Sequence, residues 1–246
     1  MEKEFSKTFY MSAGECDPRR RMPVPLLVSR IIEVATLHAN SWGVGYRHLI
    51  ENGRGWVLSR LTLEMEEWPA VDTDYRLTTW IENYNRHYSQ RCMEIADAAT
   101  GRTLGYARTI WMVLDMRART SVDISQLEYI SANVTDRPCP IAPQSRLRPI
   151  TAPTRETMHL VSYTDCDFYR HMNTVRYVEL LMNQFDLSFH DKHDVHRLEL
   201  AFTSETRYGT NLHVKLDESE ANDVKAQLDD AEGTTHLRAR VVFNEI

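Results

Sequence analysis

The chain has 246 residues, 42% of them hydrophobic, enough for a proper core in one large domain or two ordinary ones. Its net charge of −6 argues against general nucleic-acid binding. No apolar run approaches the roughly 20 residues needed to span a bilayer. Cys16, Cys92, Cys139 and Cys166 are scattered with neither disulfide-framework nor zinc spacing, so all four read as free thiols. The segment from Met1 to Ser6 has no apolar run to serve as a signal peptide, and the expected compartment is the cytoplasm.

In chain order, residues 4–12 read as a strand. Pro18, Pro23 and Pro25 surround the run Arg19, Arg20, Arg21, and a helix follows from about Pro25 to Asn40, with Val28, Ile31, Ile32 and Ala35 on its buried face. A loop with Gly43, Gly45, Gly53 and Gly55 carries no phosphate-binding fingerprint. Strands are then expected near residues 56–65, 75–84, 88–97 and 104–114, with Thr100-Gly101 as a turn between the last two. Between Ser131 and Thr157 the pattern stops, and five prolines (Pro138, Pro140, Pro143, Pro149, Pro153) mark a linker. Afterwards the same order begins again: a strand near 158–163, a helix from about Met172 to Ser188, and strands near 197–206, 212–217, 224–228 and 236–244. The expected architecture is therefore α+β in two halves, residues 1–130 and 158–246, joined by the linker 131–157.

The densest chemistry lies in Tyr163 to Tyr177. Val175, Val178, Met182 and Phe185 follow the period of a helix with one buried face. Asp167 and His171 stand in or just before its first turn, where free N–H groups and the helix dipole favour developing negative charge, as in attack on a carbonyl. Asp at such a position is also a common cap, and Asp165 reads more simply as one. The stretch from Cys16 to Met22 matches Cys166 to Met172 at a separation of 150 (166 − 16), and Arg60 to Leu63 matches Arg197 to Leu200 at 137 (197 − 60). In the first copy Arg21 occupies the place of His171, so the two halves cannot perform the same chemistry.

A long helix wrapped by an antiparallel sheet, twice in one chain, with Asp-x-x-x-His at the second helix, resembles the acyl-ACP thioesterases of plants and bacteria, which are tandem hotdog proteins. The family pattern Asp-x-Asn-x-His-Val-Asn-Asn-x-Lys-Tyr is met by Asp167 to Tyr177. Glu205, in Phe202 to Thr206, matches the family's glutamate in the strand after this helix. The spacing of Trp56 to Leu61, Trp68-Pro69, Thr79-Trp80, Thr100-Gly101 and Trp111 to Asp115 also resembles the family, so the likeness covers nearly the whole chain. It departs at Tyr169, where the family has a catalytic asparagine. A phenol offers one O–H with a longer reach than an amide. Either Tyr169 donates to the substrate carbonyl, or Asn173 or a backbone N–H takes that part.

The resemblance implies hydrolysis of acyl-ACP to free fatty acid without cofactor or metal. Glu205 activates water, supported by Asp167 or with Asp167 as the alternative base. His171 positions the carbonyl or shuttles a proton, and backbone N–H groups around Met172 and Asn173 hold the oxyanion. Val28, Ile32 and Met172 would contact the acyl chain, with the first half lining its tunnel. Arg19, Arg20, Arg21, Arg170 and Arg176 would dock the acidic acyl carrier protein with its phosphopantetheine-linked chain, in an assembly compatible with a homodimer. An acyl-CoA thioesterase and a non-catalytic acyl-thioester sensor are the rival functions. His190, His193 and His196 have the spacing of metal ligands but no matching set elsewhere, and read as a solvated loop. Cys166 abuts the site but, next to Asp167 in an extended segment, points to the opposite side.

Overall fold

Two runs of strand-forming sequence, each preceded by an apolar helix, organise the protein. The structure, a computed structural model, describes residues 2–125 and 127–246. It divides into two compact units, the first ending at Pro143 and the second beginning at Gln144.

The first unit contains β1 (Glu4–Tyr10), α1 (Val24–Ser41), α2 (Tyr46–Glu51), β2 (Arg54–Met65), β3 (Asp74–Tyr84), β4 (Ser89–Asp97), β5 (Thr103–Asp115), the two-residue β6 (Thr120–Ser121) and α3 (Glu128–Ser131). Its antiparallel sheet runs β1-β3-β4-β5-β2, with β6 on β5. α1 starts with Pro23 as its N-cap residue and Pro25 in its first turn, where a missing N–H costs nothing. Leu27, Val28, Ile31 and Val34 on one face are fully buried. Ile32, expected on that face, is only half-buried because it lies one position further round the helix.

The second unit repeats this plan with β7 (Arg155–Leu160), α4 (Thr174–Met182), α5 (Leu187–His190), β8 (His193–Phe202), β9 (Asn211–Glu220), β10 (Asp223–Asp229) and β11 (Thr235–Glu245). The sheet order β8-β11-β10-β9-β7 is that of the first unit with each strand replaced by its counterpart. Each unit is thus an antiparallel sheet with a helix on it, the hotdog plan. The second helix is shorter than expected. It ends at Met182, and Asp186 caps a separate turn by accepting from the Phe189 N–H at 2.8 Å. Phe185, whose spacing continued the helical period, instead packs against Phe189 and Phe243, with ring centroids 4.7 and 5.1 Å away.

The proline-rich stretch is a pair of straps, not a free linker. The Trp80 indole donates to the Arg137 carbonyl at 2.8 Å, and Arg108 donates to the carbonyls of Cys139 and Ile141 at 3.1 and 3.0 Å. Glu82 accepts from the Cys139 N–H at 2.8 Å and also bonds Gln90 and Arg108. Beyond Gln144, Glu199 accepts from the Ser145 N–H at 3.0 Å, Gln227 from the Ile150 N–H at 3.1 Å, and Leu216 O from the Thr154 N–H at 2.8 Å. Prolines here remove donors that no strand partner would meet, while the remaining amides bond to side chains and main chain of the sheets. β7 accordingly starts at Arg155, inside the expected linker.

Glu82 is the hub of the first strap, and its side chain and that of Arg108 are only 17% and 10% exposed. Replacing Glu82 by Ala leaves a buried guanidinium uncompensated, and we expect a loss of about 3 kcal/mol in urea unfolding. A loss below about 0.5 kcal/mol would show that the strap is held without it.

Candidate active site

The site begins with a turn that the sequence builds twice. In the second unit Asp167 donates its N–H to the His171 carbonyl at 2.9 Å and accepts at its own carbonyl from Arg170 at 2.9 Å. Its carboxylate accepts from the N–H groups of Tyr169 at 2.8 Å and His171 at 3.3 Å. Arg170 occupies the tip with φ of 66°. In the first unit Asp17, Arg19, Arg20 and Arg21 make the same four bonds, at 2.8, 2.9, 2.9 and 3.2 Å, and Arg20 has φ of 62°. The left-handed tip costs a non-glycine residue about 1 kcal/mol, which the Asp-centred bonds offset in both copies.

After the turn the chain extends for two residues and joins the segment following β8. His171 pairs with Arg207 in an isolated antiparallel bridge, and Met172 donates its N–H to the Thr206 carbonyl at 2.8 Å. The first unit again matches: Arg21 pairs with Ala70, and Met22 donates to Pro69 at 2.9 Å. These partners obey the separations 150 and 137, since 21 + 150 = 171 and 70 + 137 = 207.

On this common frame the side chains diverge. His171 Nε2 lies 3.3 Å from Glu205 Oε2, with the two side chains 20% and 33% exposed. The corresponding positions hold Arg21, whose Nε lies 3.6 Å from Asp17, and Trp68 (205 − 137 = 68), which is buried. The first unit therefore lacks both the imidazole and the carboxylate. Glu205 sits in the loop beyond the end of β8 at Phe202, not within a strand as expected.

The sequence reading gave Tyr177 and Thr206 no role at the site, yet they hold this loop. The Tyr177 hydroxyl donates to Thr206 Oγ1 at 2.6 Å; Tyr177 is 3% exposed and Thr206 is fully buried. Burial pushes the Tyr177 hydroxyl up to about 12, against the opposing pull of its bond with Thr206, so it is a neutral donor at ordinary pH. A tyrosine on the buried face of a helix was the available signal, because a buried phenol normally finds a partner.

Other expected residues find structural places. Asp167 was expected to support Glu205 or serve as the alternative base; its carboxylate bonds the turn backbone, as Asp17 does where there is no histidine. Asn173 is the N-cap of α4, its side chain accepting from the Val175 N–H at 2.9 Å. The amides expected to hold an oxyanion are already engaged, Met172 N–H by Thr206 O and Asn173 N–H by Asp165 O at 2.8 Å each. Asp165 forms a capping box with Ser162 and contacts His159 at 3.0 Å. Tyr169 is half-buried, its ring 4.1 Å from that of Phe168. Val28 is fully buried and Met172 nearly so. Arg20 and Arg170 are exposed, Arg19 is half-buried, and Arg176 pairs with Glu179 at 2.5 Å.

Cys166 donates its thiol to the Ser162 carbonyl at 3.6 Å, as Cys16 does to Ser12 at 3.4 Å. The three histidines are not a solvated loop. His190 and His193 contact the Met182 and Phe189 carbonyls at 3.0 and 2.8 Å, and His193 stacks on Phe189. Among the described residues no cluster of three or more His, Cys, Asp or Glu is arranged to hold a metal, and no helix is long and apolar enough to cross a membrane.

The model of the acyl-ACP thioesterase N-terminal domain matches residues 2–131, and that of the C-terminal domain matches residues 148–245. The chain belongs to the acyl-ACP thioesterase family. It is 21% identical to the chloroplastic oleoyl-acyl carrier protein thioesterase 2 of Arabidopsis thaliana, over 96% of this chain and 69% of that one. It is 22% identical to the chloroplastic dodecanoyl-[acyl-carrier-protein] hydrolase of Cinnamomum camphora, over 82% of this chain and 56% of that one. The chain thus spans only part of the length of these relatives. The crystal structure of an acyl-ACP thioesterase from Bacteroides thetaiotaomicron matches with a TM-score of 0.92 and 27% identity, covering 98% of both chains. The 12:0-ACP thioesterase of Umbellularia californica, at 19% identity and a TM-score of 0.87 over 100% of this chain and 99% of that one, shares the fold.

Tyr177→Phe removes the clamp on the loop that carries Glu205 and leaves the buried Thr206 hydroxyl without its donor. We expect a stability loss of about 1 kcal/mol and a fall in thioester turnover under conditions where the variant remains folded. Undiminished turnover would show that the loop is held by other contacts.

Proposed function

We propose that this protein hydrolyses acyl-ACP thioesters to free fatty acid, with His171 and Glu205 as its working pair. The observation that carries the proposal is their 3.3 Å contact on a frame whose other copy holds Arg21 and Trp68. A carboxylate beside an imidazole at a partly exposed position has the parts for moving protons to and from water.

Glu205 takes a proton from water as that water attacks the thioester carbonyl. The proton passes across the contact from Glu205 to His171 Nε2, and His171 delivers it to the departing thiolate. Once the C–O bond has formed, the C–S bond breaks, leaving a carboxylic acid and the phosphopantetheine thiol. With the amides of Met172 and Asn173 occupied, the donors to the developing oxyanion are side chains, the Tyr169 hydroxyl and the His171 ring. Asp167 and Asn173 support the reaction by fixing the turn and the helix start. Exposed Arg170 at the tip of the second unit's turn meets the acidic carrier protein.

His171→Ala and Glu205→Gln should each lower kcat/KM on acyl-ACP by about 100-fold or more. Near-normal turnover in either variant would show that the replaced side chain does no chemistry, and binding without hydrolysis in the natural protein would favour an acyl-thioester sensor. Arg170→Glu should raise KM for acyl-ACP more than for acyl-CoA of the same chain, and the difference should shrink as salt is added. An equal effect on both substrates would count for an acyl-CoA thioesterase.

A further inference from the structure

Between α1 and the sheet of the first unit, where an apolar interior is expected, lies a polar cluster built on Arg91. Arg91 is 6% exposed, and no described Asp or Glu forms an ion pair with it. Its guanidinium donates to His38 Nδ1 at 2.8 Å and to Thr79 Oγ1 at 3.2 Å. Both acceptors are neutral and themselves buried, with His38 1% exposed and Thr79 fully buried. Burial and the neighbouring guanidinium depress His38 to about 4, so its ring is an acceptor for Arg91 and carries no charge at neutral pH. Its other nitrogen faces the Glu2 carbonyl at 3.4 Å.

Trp42 completes the cluster. Its ring lies 4.1 Å from that of His38 and 5.4 Å from the Arg91 guanidinium carbon, and its Nε1–H is buried with no hydrogen-bond partner. A cation away from water with only two neutral acceptors, beside an orphaned indole donor, is a costly arrangement that a ligand oxygen would relieve. The surroundings decide the rest of the ligand. Val28, Ile31, Val34 and Ala35 precede the cluster along the buried face of α1, so the oxygen would arrive on an aliphatic chain.

We propose that Arg91, His38, Thr79 and Trp42 form a binding site within the first unit for an acceptor oxygen carried on an aliphatic chain, such as an ω-hydroxyl. The same chemistry fits the carboxylate of the fatty-acid product.

Three ligands of equal chain length separate these sources when titrated into the full-length protein and followed by calorimetry: a plain fatty-acid methyl ester, its ω-hydroxy derivative, and the free fatty acid. We expect the hydroxy ester, the free acid or both to bind about tenfold more tightly than the plain ester, with the preference lost in Arg91→Met. Preference for the hydroxy ester assigns the site to substituted chains, and preference for the free acid assigns it to product. No preference in the natural protein, or a preference that survives in Arg91→Met, overturns the proposal. Should that variant fail to fold, Arg91→Lys, which keeps the charge and loses the planar fork, serves the same comparison.

Discussion

The tie between the residue before each helix and the loop after the following strand is the constraint from which the rest of the site derives. A methionine N–H, from Met22 or Met172, donates to the carbonyl of Pro69 or Thr206, and an aspartate-centred turn immediately upstream aims the preceding side chain at that loop. Because the tie is made by backbone atoms, it tolerates exchange of the side chains it positions. Duplication of such a frame supplies two equivalent places for a pair of residues. Only one needs to keep chemistry.

That frame separates scaffold from reaction without any catalytic measurement. Whatever both copies share, including the aspartate carboxylate on the turn amides, the strained arginine tip and the cysteine thiol on a carbonyl, serves the fold. Whatever only the second copy has is free to serve the reaction: His171, Glu205, and the Tyr177–Thr206 clamp, which stands where the first unit has Leu27 and Pro69. The first unit has buried Trp68 in the place of Glu205 and keeps an α1 twice the length of α4, at 18 residues against 9. Its interior is apolar along most of α1 and polar around Arg91, His38 and Thr79.

Much of this was legible in the chain itself. Alternation in Leu61, Leu63 and Met65 gave a strand, Pro23 and Pro25 gave a helix start, and two fixed separations revealed the duplication. Those separations already placed Trp68 opposite Glu205, although the comparison becomes compelling only when the bridges at Ala70 and Arg207 are seen. What stayed hidden were facts of direction. Sequence spacing cannot show that the amides of Met172 and Asn173 are spent on Thr206 and Asp165, or that Asp167 turns to the backbone. Nor can proline content show that Glu82 and Arg108 fasten the segment read as a linker, since partners far apart in sequence make those bonds. Phe185 continued a helical period but belongs to a separate aromatic cluster with Phe189 and Phe243, because α4 ends at Met182 and Asp186 starts a new turn.

The central claim is that His171 and Glu205 act as one unit. A double-mutant cycle on kcat/KM for acyl-ACP, combining His171→Ala with Glu205→Ala, tests it most directly. Residues that share one proton path lose most of their effect once either is gone, so we expect the double variant to be within about tenfold of the worse single variant. Losses that multiply across the cycle would mean that the two side chains act independently and that their contact is incidental.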